Sequence, residues 1–306
     1  MEAKRKSGIR ERALFLVLIV IVLLSGSTAA LSQAPPEDRN NPVRSPGNAE
    51  WASTFGEATQ SAAALGKFLF VEFDKKGCGY CQRMDVLLYP AFDFEALLIP
   101  MVPVKVSLDS SEGKELARQY GINDVPAILI RSPEGRMVFL IEGFTTTEDF
   151  YSHVRQDLDT YRAFARKVEA QDIPRLSARE AFETGKELYR RGDSAGALPR
   201  LKRAVSAPGA ATALREDARE LLAAVELDGG DTAASRQTIH RLITTTKDAR
   251  RRERAELFRA QIPLAENKPE EAYALFVKFE KDHPKSSYLA QVRALVARMN
   301  GEAPKP

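Results

Sequence analysis

The chain of 306 residues holds only two cysteines, and they stand three positions apart as Cys78-Gly79-Tyr80-Cys81. A bridge between them would close a very small ring. Cross-links stabilise mainly by restricting the unfolded chain, and more so for long loops. The pair is therefore a poor staple and a good redox switch. A zinc site needs four ligands, and there is no second cysteine pair to supply them. His153, His240 and His283 are dispersed along the chain and read as surface or helix-end residues, so no metal site is expected. Covalent haem attachment needs a histidine directly after the second cysteine, where Gln82 stands. No cofactor is expected either. The motif follows an apolar run, F-L-F-V-E-F, and opens a helical stretch. A cysteine at a helix N-terminus sits beside unpaired N–H groups that favour its thiolate. Cys78 has that place and is the expected nucleophile. Cys81, one turn on, is the expected resolving thiol. Lys75 and Lys76 precede the motif and read as a solvated loop, since exposed charges are screened.

Residues 1–30 follow the pattern of an export signal. Lys4, Arg5, Lys6, Arg10 and Arg12 precede an apolar run from Ala13 to Leu24, and the small residues Ser25 to Ala30 follow. The run is short for a span of about 20 residues. A cleaved signal and a retained anchor formed by residues 13–30 both stay open. Either places the remainder outside the cytosol, periplasmic or secreted, where disulfides persist. Beyond residue 30 the chain carries 40 basic and 40 acidic residues. That balance argues against nucleic acid as a partner, since such binding rests on neutralising phosphates.

Residues 31–50, rich in Pro, Asn, Ser and charge, read as a flexible linker. Residues 51–165 alternate strand and helix patterns. Helix is expected over Ser53–Leu65, Cys81–Tyr89, Ser111–Tyr120 and Thr147–Leu158. Strand is expected over Lys67–Phe73, Val102–Val106, Ala127–Ile130 and Met137–Ile141, the last two joined by a turn at Ser132-Pro133-Glu134-Gly135. This order predicts an α/β domain with a mixed sheet.

Residues 175–300 are helical throughout and repeat. The small residues Ala197, Ser235 and Ala272 recur every 37 to 38 positions. Each has apolar or small residues four and seven positions later on the same helix face: Leu201 and Ala204, Ile239 and Leu242, Phe276 and Phe279. With Gly185, Ala197, Leu201 and Ala204 at the family's spacing, these units resemble tetratricopeptide repeats. The resemblance implies an all-α helical-repeat domain that recruits a protein partner. The basic run Lys247 to Arg254 is interrupted by Asp248 and Glu253 and reads as a solvated helix face.

Residues 51–160 resemble the thioredoxin family beyond the cysteines. Glu72 stands six residues before Cys78, where the family has a buried Asp. Lys105 falls where the family has the lysine that pairs with that acid, and Asp109 matches a strand-end Asp. Tyr120-Gly121-Ile122-Asn123-Asp124-Val125-Pro126 matches the loop whose proline is cis and faces the disulfide, and Gly143 matches too. The resemblance implies a redox-active Cys78–Cys81 disulfide, with Cys78, Cys81, Glu72 and Lys105 catalytic. It implies that Glu72 moves a proton at Cys81, and that Val125, Pro126, Gly79 and Tyr80 bind substrate, the backbone of Val125 being free to pair with a substrate strand. Gly77 replaces the family's Trp and Gly-Tyr replaces Gly-Pro, which leaves the redox direction open. The expected activity is an exported thiol–disulfide oxidoreductase acting on protein thiols or disulfides and served by a redox partner protein. The alternative is an assembly adaptor whose repeats carry the function.

Overall fold

A computed structural model describes residues 51–90 and 92–300. The expected signal or anchor and the linker lie outside the described residues. The described chain divides at Ala170 into two compact units.

The first unit is built on a four-stranded sheet in the order β2-β1-β3-β4, with β1 Phe68–Asp74, β2 Met101–Ser107, β3 Ala127–Arg131 and β4 Met137–Glu142. Strand β1 runs parallel to β2 and antiparallel to β3, and β3 pairs antiparallel with β4. Because β1 is central and covered on both faces, its pattern is a continuous apolar run rather than an alternation. Leu69, Val71 and Phe73 pack with Ala58 and Ala62 of α1 (Phe55–Leu65) and with Leu116 and Ala117 of α4 (Ser111–Tyr120). Phe70 points the other way, into a core with Met84 of α2 (Gly79–Leu87), Phe94 of α3 (Phe92–Leu98) and Phe150 and Val154 of α5 (Thr147–Glu169). Glu72, two residues on, has the parity of Phe70. Thr54 and Ser110 cap α1 and α4, and Gly66 and Gly121 end them in the left-handed conformation.

Two elements depart from expectation. The sequence pattern predicts no helix at α3, because seven residues are too few to show a helical period. Helix α5 runs to Glu169, well past Leu158, because Tyr161 and Val168 keep the apolar stripe going and are buried.

The second unit holds helices α6 (Ala178–Arg190), α7 (Ser194–Ser206), α8 (Thr212–Asp228), α9 (Thr232–Thr245), α10 (Ala249–Ala265), α11 (Pro269–Asp282) and α12 (Leu289–Met299). Each packs on the next in the chain. Three helical hairpins recur: α6–α7, α8–α9 and α10–α11. Ala197, Ser235 and Ala272 are each fully buried, and so are or nearly are the six residues four and seven positions after them. Each hairpin turn contains one left-handed residue: Gly192 (φ 83°), Gly230 (φ 81°) and Asn267 (φ 57°). Glycine and asparagine are the residues that adopt this conformation most readily. In the first two hairpins the aspartate that follows caps the next helix: Asp193 accepts from Gly196 N–H at 2.7 Å and Asp231 from Ala234 N–H at 3.0 Å. The third has Lys268 there and no side-chain cap. It has Pro269 at the first helical position, with Glu270 and Glu271 in the first turn.

The basic run differs from its reading as a solvated face. Arg251 is only 9% exposed and contacts Asp217 of α8 at 2.5 Å, while Arg254 pairs through two nitrogens with Glu220 at 2.9 and 3.0 Å. The acids it needs lie 34 residues earlier, which a local reading does not connect.

Candidate functional site

The loop leading to the cysteines is set by two contacts. Gly77 has φ 75°, which favours glycine, and it lets Cys78 N–H reach back to the Lys75 carbonyl at 3.2 Å. Asp109, in the turn after β2, accepts from Lys76 N–H at 2.7 Å. Cys78 then stands at the N-cap of α2. It is bonded to Cys81, and its Sγ accepts from Cys81 N–H at 3.1 Å. Both are largely buried, at 8% and 5% exposed. Cys78 therefore caps the first turn of a helix and its Sγ receives the Cys81 N–H, an arrangement that stabilises a thiolate once the bridge is reduced.

The Pro126 loop comes to the same place. The Val125–Pro126 peptide is cis, and the Val125 carbonyl oxygen lies 3.9 Å from Cys78 Sγ. The Val125 backbone is not wholly free: its N–H donates to the Asp124 carboxylate at 2.9 Å. That engagement was not expected, because it depends on the side-chain rotamer of a neighbour. Gly143 N–H donates to the Pro126 carbonyl at 2.8 Å and ties the end of β4 to this loop.

Behind the motif, Glu72 is fully buried, and its carboxylate contacts Lys105 Nζ at 3.2 Å, as β1–β2 pairing in register dictates. Lys105 also contacts Asp85 of α2 at 3.2 Å and Asp74 at 4.0 Å. The buried Tyr89 hydroxyl and the Lys105 ammonium are the polar groups that face the Glu72 carboxylate. Burial pushes the Glu72 carboxyl up to about 7, against the pull of Lys105. Burial also draws Lys105 down, but Glu72 and Asp85 together hold it above the usual lysine value. The Tyr89 hydroxyl is raised, by burial first and then by Glu72. Asp85 and Tyr89 escape a sequence reading because they reach this pair only through the packing of α2 and the turn after it. No group of residues able to hold a metal ion occurs among the described residues.

Comparison with known proteins agrees with this geometry. Residues 55–157 match the family described as a thioredoxin-like domain. Solved structures similar to the chain include a thioredoxin from Thermus thermophilus, at 30% identity over 35% of this chain and 85% of that one, with a TM-score of 0.33. A DsbH oxidoreductase is similar at 19% identity over 44% of this chain and 95% of that one, with a TM-score of 0.31. The oxidised C-terminal domain of Neisseria meningitidis DsbD is similar at 17% identity over 33% and 90%, with a TM-score of 0.30. No curated protein matches the chain. Residues 55–157 belong to the thioredoxin-like domain family, and they carry both cysteines, Glu72, Lys105 and Pro126.

Proposed function

We propose that this protein is an extracytoplasmic thiol–disulfide oxidoreductase that acts on protein substrates through Cys78 and Cys81. The observation that carries the reading is the placement of Cys78. Its Sγ is at a helix N-terminus, bridged to Cys81, in contact with Cys81 N–H and beside the Val125 carbonyl. In the reducing direction, the Cys78 thiolate attacks one sulfur of a substrate disulfide. That S–S bond breaks, and the other substrate sulfur leaves as a thiolate. Cys81, having lost its proton, then attacks Cys78 Sγ and releases the second substrate thiol. Two electrons pass to the substrate, and the protein ends with its own bridge formed. A redox partner protein then restores the dithiol. The oxidising direction is the same sequence reversed.

In this reading Glu72 is the group that takes the Cys81 proton. A carboxyl with its midpoint near neutrality both accepts and returns a proton at working pH. Lys105 keeps that carboxyl near its poise, while Gly79, Tyr80, Val125 and Pro126 receive the substrate chain. The helical unit recruits a protein partner, and residues 1–30 direct export, cleaved or retained as an anchor. Among the described residues no helix is long and apolar enough to cross a membrane, and residues 13–30 are not among them.

The test is Cys81→Ser, which leaves Cys78 to attack with no resolving thiol. We expect a covalent complex with exported proteins that disappears on reduction. No trapped complex, together with no disulfide exchange by the wild type, would overturn the reading. The reduction potential of the Cys78–Cys81 couple then decides the direction of electron flow.

A further inference from the structure

Beside the disulfide, α2 presents a face that the first unit leaves uncovered. Tyr80, Arg83 and Leu87 are spaced by three and four residues, so they line one side of the helix. Tyr80 is 44% exposed and Leu87 is 47% exposed. Phe144 floors this face: its ring lies 6.1 Å from that of Tyr80, and the Arg83 guanidinium sits over it at 5.0 Å. Phe144 follows Gly143, which is bonded to the Pro126 carbonyl. The aromatic pair and the cation therefore join α2 to the loop that flanks Cys78.

Arg83 has no carboxylate within ion-pair distance among the described residues, and neither do the exposed Lys75 and Lys76 just before the motif. The acids nearby are engaged: Asp109 by Lys76 N–H, Asp124 by Val125 N–H and Asp85 by Lys105. The exposed guanidinium over the ring has N–H donors of the kind that hold a carboxylate through two bonds.

We infer that this face selects the partner polypeptide: it takes a segment with Asp or Glu beside the cysteine under attack. The carboxylate lies on Arg83, and an apolar neighbour rests on Tyr80 and Leu87. The inference builds on the oxidoreductase reading and adds a substrate class. It runs against the unit's overall charge, since residues 51–170 hold 13 Lys and Arg against 17 Asp and Glu. Long-range attraction alone would favour a basic segment.

The experiment uses the full chain, reduced beforehand, in single turnover. The probes are two short synthetic peptides, each a disulfide-linked homodimer through a central cysteine, one flanked by Asp and the other by Lys. The readout is the ratio of their reduction rates by quenched chromatography. Any effect of Arg83 on the Cys78 thiolate acts on both peptides and leaves the ratio alone. We expect the Asp peptide to be favoured by about fivefold, an effect of the size of one surface ion pair. Arg83→Gln should abolish the preference, Arg83→Glu should invert it, and added salt should shrink it. Equal rates, a preference for the Lys peptide, or a preference unmoved in both variants overturns the inference. Reduction of neither peptide by the reduced chain, together with no oxidation of the corresponding thiol peptides by its disulfide form, overturns the oxidoreductase reading beneath it.

Discussion

At the scale of single residues, Glu72 makes the sharpest prediction. A carboxyl held near 7 when folded and near 4.5 when unfolded keeps its proton in the native state over the interval between them. Its contribution to stability is full below about pH 4.5 and is lost as pH rises through about 7. The loss is on the order of 3 kcal/mol from the size of the shift. Glu72→Gln should flatten the fall in denaturant midpoint between pH 5 and 8, followed by emission of the single tryptophan, Trp51, whose ring packs against Tyr89 at 6.0 Å. If Glu72 also serves Cys81, the same variant slows resolution of the mixed disulfide most near neutral pH. The pairing of Glu72 with Lys105 could be read ahead of the structure from the thioredoxin resemblance, and the parallel β1–β2 register puts the two residues side by side. Asp85, Tyr89, Arg83 and Phe144 could not. Each reaches the site across tertiary packing, and no local pattern marks a side chain that does so.

At the scale of elements, the helical hairpins depend on close approach. A methyl group on Gly185 would meet Leu201 Cγ at 2.9 Å and the Ala197 carbonyl at 3.3 Å. Gly185→Leu should therefore cost about 1–3 kcal/mol through overpacking, seen as a lower urea midpoint by far-ultraviolet circular dichroism. Helix α6 opens with a reciprocal cap in which Ser177 and Glu180 satisfy each other's backbone N–H groups. Ser177→Ala should cost about 1 kcal/mol of stability, seen as a lower value of the same midpoint. The close approach at Gly185 was legible because it is local, whereas the cap at Ser177 entered only with the structure. The small residues recur at a fixed period, and Gly-Asp before a helix is a turn and a cap in two letters. The end of α5 was less legible. Past Leu158 its polar face is dense in charge, and only the spacing of Tyr161 and Val168 carries the helix onward.

At the scale of the whole molecule, each unit buries its own core, so each has the means to fold by itself. Trp51 lies in the first unit and reports on that unit, while seven long helices of the second contribute much of the circular dichroism. Gly185→Leu should shift the dichroism transition and leave the Trp51 transition in place; equal shifts in both would mean that the two units unfold as one. The site is held together by main-chain atoms as much as by side chains. Cys78, Val125 and Phe144 are far apart in sequence, and the bond from Gly143 N–H to the Pro126 carbonyl holds the latter two segments in register. Gly143 holds φ 88°, so any side chain there strains the joint, and proline would also remove its donor. On this proposal the partner-choosing positions outside the motif, Arg83 and Leu87, can drift while the framework that aligns the sulfur chemistry stays put. Such a molecule can change its clientele without rebuilding its reaction.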